Sequence, residues 1–112
     1  MKTPASDDAP LGTFEEQVLL AVLRTGAEAY GMSVRREIED VTGRALAVGA
    51  VYATLDRLES KGLATSRRAD VEGVSRRLFA VTASGARALA ESRAMRERLW
   101  RGVELKHLLA QA

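Results

Sequence analysis

Arginine is the residue type best placed to do chemistry in this chain. Arg67 and Arg68 stand just before a short stretch containing Asp70 and Glu72, and Arg76 and Arg77 stand just after it. Guanidinium groups bind phosphate oxygens through paired N–H donors. Two such pairs flanking one turn therefore form a compact positive projection suited to a polyanion. Upstream, the segment GAVYATLDR sets Tyr52, Thr54 and Arg57 among Gly49, Ala50 and Ala53. Small side chains let a helix approach another surface closely, and hydroxyl and guanidinium groups beside them reach phosphates and base edges.

Other chemistries lack their parts. The chain has no cysteine and one histidine, His107. Thiolate metal sites, disulfides and cysteine nucleophiles are thereby excluded, and acid–base catalysis near neutral pH has few candidates. Neither a phosphate-cradling glycine loop nor a nucleophile–histidine arrangement occurs, so an enzyme is not expected, nor a cofactor or a metal. No apolar run approaches the roughly 20 residues of a membrane span. The N-terminus (MKTPASDDAP) lacks the apolar core of a secretory signal. A cytoplasmic, reducing setting is the expectation.

Charge is distributed more tellingly than its sum of +2 suggests. Residues 1–42 carry a net −4, residues 43–87 a net +4 and residues 88–112 a net +2. The middle third, which holds the arginine pairs, is the part that suits a polyanion.

Elements must position these groups within 112 residues, 46% of them hydrophobic and 29% charged, which fits one compact domain. Residues 1–10 read as a tail punctuated by Pro4 and Pro10. Thr13 with Glu16 forms a capping-box pattern, followed by Phe14, Val18, Leu19, Val22 and Leu23 at helical spacing and a stop at Gly26. A second helix follows Tyr30-Gly31, with Val34, Ile38 and Val41 inward and Gly43 as its stop. In a third, Val51, Leu55 and Leu58 face inward, which leaves Gly49, Ala50, Ala53, Thr54 and Arg57 outward with Tyr52 beside them. Leu63 closes the same core after Gly62.

Residues 63–68 and 76–81 read as strands joined by a turn over residues 69–73. Six residues do not settle which side of the second strand is buried. Thr82, with Ser84 as a rival cap, starts a helix expected to run to the end of the chain. Its broken apolar stripe of Leu89, Leu99, Val103, Leu108 and Leu109, with Met95 and Trp100 nearby, exceeds what solvent tolerates, and pairing with a second copy is its natural use.

Three helices, a hairpin and a final helix form the order of a winged helix-turn-helix. This fold is mainly α with a small β-hairpin, and its third helix enters a DNA groove while the wing lies on neighbouring backbone. The expected division is a tail over 1–10, a DNA-binding domain over 11–82 and a dimerisation helix over 83–112. The partners expected are double-stranded DNA and a second copy of the chain.

Residue by residue, LGTFEEQVLLAVLRTGAEAYGMSVRREIEDVTGR, GAVYATLDRLESKGLATS and RRLFAVTASGARAL resemble the PadR family of bacterial transcriptional regulators, from Leu11 to Leu89. The resemblance implies a homodimeric DNA-binding regulator, usually a repressor, paired through its C-terminal helix. It carries over to Gly49, Ala50, Tyr52, Ala53 and Thr54 as the DNA-facing segment, with Arg57 one turn on. Family patterns often hold proline where this chain has Ala53 or Thr54. At the wing, the acidic tip leaves phosphate contacts to Arg67, Arg68, Arg76 and Arg77. Some relatives bind flat apolar molecules between subunits, so Trp100 has two readings, a dimer-core aromatic or a platform for a small-molecule effector. Tyr52 likewise has two, a ring packed between the second and third helices or a phosphate contact. At the level of the whole chain, the competing reading is a protein-interaction module that keeps the winged fold without specific DNA binding.

Overall fold

The computed structural model describes residues 10–111. The expectation of an N-terminal tail therefore lies outside the described residues, apart from Pro10. Helix α1 spans Thr13–Thr25. Its first turn is closed one residue earlier than expected: Glu15, not Glu16, reaches back, its Oε1 accepting from the Gly12 N–H at 3.0 Å. Glu15 is drawn inward because two cations wait behind it, as described below, while Glu16 turns outward to Arg96. Gly26 ends α1 with φ 72°, and a 3-10 turn over Gly26–Glu28 follows.

Helix α2 spans Gly31–Thr42 and stops at Gly43. The Ser33 hydroxyl accepts from the Tyr30 N–H at 2.9 Å and fixes the entry of the helix. Val34 and Ile38 are buried but Val41 is exposed, so the core ends one turn sooner than the apolar stripe. Helix α3 spans Val48–Ser60 and buries Val51, Leu55 and Leu58 completely. These three pack with Val18, Leu19, Val22, Ala29 and Phe79 into the single core. Removing that much branched aliphatic surface from water is the main stabilising contribution, about 1.5–3 kcal/mol per fully buried side chain.

Strands β1 (Ala64–Val71) and β2 (Val74–Val81) form an antiparallel hairpin in register from Ala64↔Val81 to Val71↔Val74. The turn is shorter than expected. Only Glu72 and Gly73 form it, with φ 53° and 82°. Two successive positive φ values give the two-residue loop whose twist matches the strands, and ladder pairing then continues to the tip. The question of which side is buried also has its answer: Leu78 and Phe79 both are. The Phe79 N–H donates to the Ala29 carbonyl at 2.8 Å, so the segment before α2 runs along the free edge of β2 and shelters it.

Helix α4 spans Ala83–Trp100. Thr82 caps it as expected, accepting from the Gly85 N–H at 3.1 Å. Gly85 presses on the loop behind it so closely that a Cβ there would come within 2.1 Å of the Leu63 carbonyl oxygen. The helix does not run on to the chain end. Gly102 takes a left-handed conformation (φ 79°), and a short helix α5 over Lys106–Ala110 follows. Glycine is the residue least opposed to such a break and costs about 1 kcal/mol within a continuing helix.

Candidate nucleic-acid interface

The outward face of α3 is built as the spacing suggests at most positions. Gly49, Ala50, Tyr52, Ala53, Asp56 and Arg57 are exposed. Thr54 departs from the expectation. It is 2% exposed and belongs to the inward stripe with Val51, Leu55 and Leu58, at steps of three and four residues. Its hydroxyl accepts from Arg57 Nη2 at 3.2 Å, so it serves its own helix rather than an outer surface.

Tyr52 is 37% exposed, and the hydroxyl end of its ring lies against Gly31 at the start of α2. A Cβ at residue 31 would come within 2.1 Å of Tyr52 Cζ. Packing between the two helices is therefore the observed role of the ring.

Arg57 and Lys61 converge on Glu15 from the far end of α3, at 3.3 and 2.8 Å from its Oε2. Burial alone pushes the Glu15 carboxyl up. The hydrogen bonds from Lys61, the Gly12 N–H and Arg57, with the nearby Lys61 charge, outweigh that and hold its pKa below the ordinary value. The neighbouring carboxylates Asp56 and Glu59 are engaged elsewhere, by Arg77. A pairing across 42 residues carries no local spacing signal.

The four wing arginines do not act as one projection. Arg67 and Arg68 are exposed and, among the described residues, lie within 4 Å of no carboxylate. Arg76 stacks over the Tyr30 ring, 4.3 Å from its centroid, and Tyr30 accepts at its hydroxyl from Arg36 at 3.4 Å. Arg77 turns toward α3. Its Nη1 meets Asp56 Oδ1 and its Nη2 meets Glu59 Oε1, each at 2.7 Å. Arg77 and then Ser66 hold the Glu59 carboxyl below the usual range. Asp56 and then Glu59 raise the pKa of Arg77.

At the C-terminal end, Leu89 corrects the expected interface set. It is 9% exposed and packs in the subunit's own core. Helix α4 contacts α1 and β2, and Arg96 in its fourth turn still pairs with Glu16 on α1. Met95, Leu99, Trp100, Val103 and Leu108 are all exposed, Leu99 by 71% and Trp100 by 56%. Leu109 is exposed as well, and so is Leu105. Among the described residues no cluster of metal-binding side chains occurs, and no helix is long and apolar enough to cross a membrane.

A family model described as the transcriptional regulator PadR-like family matches residues 19–91. This chain belongs to that family. Its members are transcriptional regulators built on a DNA-binding winged helix, and the family is not one of enzymes. The chain is similar to the transcriptional regulator Rv3488 of Mycobacterium tuberculosis, 37% identical over 76 residues that cover 68% of this chain and 70% of that protein. A crystal structure of a PadR family transcriptional regulator from Eggerthella lenta superposes with a TM-score of 0.63 at 28% identity, covering 82% of this chain and 80% of that one. RosR of H. salinarum shares the fold at a TM-score of 0.65 and 24% identity, over 96% and 91% of the two chains.

Proposed function

We propose that this PadR-family regulator is a cytoplasmic homodimeric repressor that reads a palindromic operator in double-stranded DNA. Each subunit sets the start of α3 in a major groove and lays the hairpin on the flanking backbone. The observation that carries this reading is the pairing of two surfaces. The exposed, small-residue face of Gly49, Ala50 and Ala53 lies on α3, and the exposed Arg67 and Arg68 lie on β1. The first permits close approach to base edges, and the second supplies phosphate attraction at any sequence. Tyr52 and Arg57 flank the groove-facing segment. The exposed Met95, Leu99, Trp100, Val103 and Leu108 support pairing of two copies, since an apolar surface of this kind is costly in water.

A small-molecule effector fits the same arrangement. A flat apolar molecule seated against Trp100 between subunits would change the separation of the two α3 helices and shift the population able to bind DNA. Fluorescence anisotropy tests the reading, with a duplex from the region upstream of the protein's own coding sequence, at two salt concentrations and with unrelated DNA as competitor. Binding that survives the competitor and weakens with salt is the expected result. Equal, weak binding of both DNAs would leave the fold serving a protein partner instead.

A further inference from the structure

Asp56 lies on the exposed face of α3, with Glu59 one turn behind it, where a DNA-reading helix should least tolerate negative charge. Both carboxylates are met by one guanidinium, and it comes from the wing. Arg77 Nη1 donates to Asp56 and Nη2 to Glu59, each at 2.7 Å. Its Nε donates to Ser66 Oγ at 3.1 Å, and that hydroxyl in turn donates to Glu59 at 2.9 Å. The guanidinium carbon also sits 4.6 Å from the Phe79 ring centroid, above a buried side chain. Each nitrogen of the Arg77 guanidinium thus makes a hydrogen bond within the chain, engaging three of its five N–H donors.

We infer that Arg77 is a positioning residue for DNA binding: it masks the Asp56 and Glu59 carboxylates on α3 and thereby ties the wing to that helix. The inference rests on the DNA-binding reading above. It separates the four wing arginines by task. Arg67 and Arg68 face outward and attract phosphate, whereas Arg77 removes a repulsion. An anchored hairpin also presents Arg67 and Arg68 at a set distance from α3, so the spacing between groove contact and backbone contact is fixed before DNA arrives. Preorganisation of that kind lowers the ordering cost of binding.

A double-mutant cycle decides between masking and contact. Arg77→Met keeps an unbranched apolar side chain and removes the charge together with its N–H donors, and circular dichroism checks that each variant is folded. Affinity is read by anisotropy on the upstream duplex and on a random-sequence duplex of equal length. In the natural background the substitution should weaken both by about tenfold or more, because two carboxylates then face phosphate unopposed. In an Asp56→Asn, Glu59→Gln background the same substitution should cost less than about threefold, since nothing remains to mask. Arg67→Ala, as a comparison, should cost the same in both backgrounds.

A loss from Arg77→Met as large or larger in the carboxylate-free background would make Arg77 a phosphate ligand and overturn the inference. Failure of the natural chain to bind either duplex would overturn the DNA-binding reading, and the masking role with it. The tie between wing and helix is measured separately, by amide hydrogen exchange of residues 64–81 without DNA. Faster exchange in both Arg77→Met and the Asp56→Asn, Glu59→Gln chain supports it, and unchanged exchange in both removes it.

Discussion

Tyr52 on α3 rests on Gly31 at the first turn of α2, and residue 31 has no room for a side chain beneath that ring. The contact joins the two helices whose relative angle defines a helix-turn-helix. Gly31→Ala should therefore destabilise the domain by about 1–3 kcal/mol, the usual cost of overpacking. Urea unfolding would measure it. Combining Gly31→Ala with Tyr52→Ala should cost less than the sum of the two single changes, because the added methyl group then occupies vacated space.

Acid should loosen the joint between α1 and α3. The folded-state pKa of Glu15 is lowered, so its contribution is present above the unfolded value and is lost as pH falls through the folded one. Glu59 is shifted the same way and adds to the same limb. Glu15→Gln should reduce stability near pH 7 by about 1–2 kcal/mol, the scale of hydrogen bonds to a charged group. The deficit should shrink as pH falls below the ordinary carboxylate range and the natural carboxyl is itself protonated. A deficit that stays constant across pH would mean that packing, not charge, sets the effect.

Replacing Arg67 and Arg68 together by alanine should weaken binding to all DNA alike. In a homodimer the change removes four cations, so the slope of log affinity against log salt should become shallower by about 3.6, since each phosphate that a cation neutralises adds about 0.9 to it. A change in preference between duplexes, at an unaltered slope, would move these residues from backbone binding to base reading.

Two leucines on one helix should respond in opposite ways. Leu89→Ala opens the subunit core and should cost about 2–5 kcal/mol of folding stability. Leu99→Ser, at an exposed position, should leave the subunit fold intact and release monomers, as read by light scattering after size exclusion. Loss of folding from Leu99→Ser would place that residue in the subunit rather than between copies.

The helices are legible in the sequence because their signals are local. Val51, Leu55 and Leu58 recur at helical steps, and Gly26 and Gly43 stop α1 and α2 where chain chemistry favours a stop. Thr54 is misplaced when polarity is weighed above periodicity, because a polar residue at an inward step then looks outward; the spacing from Val51 to Leu58 already holds the signal. The roles of Arg57 and Arg77 are not legible. Their partners lie 42, 21 and 18 residues away, and nothing in a local pattern tells a paired guanidinium from a free one. The hairpin turn is shorter than its sequence suggests for a related reason. Asp70 favours turns in isolation, yet Glu72-Gly73 alone supplies the two positive φ values needed.

The left-handed Gly102 divides the exposed C-terminal leucines between a long rod and a short one instead of leaving them on one. A single straight rod meets its mate along a line, and lengthening it adds grip in proportion to its length. Two rods joined at an elbow present apolar surface in two planes and can clasp a mate from two sides. Grip then depends on the elbow angle, so a β-branched residue at position 102, by resisting the bend, should alter pairing without changing a single apolar side chain.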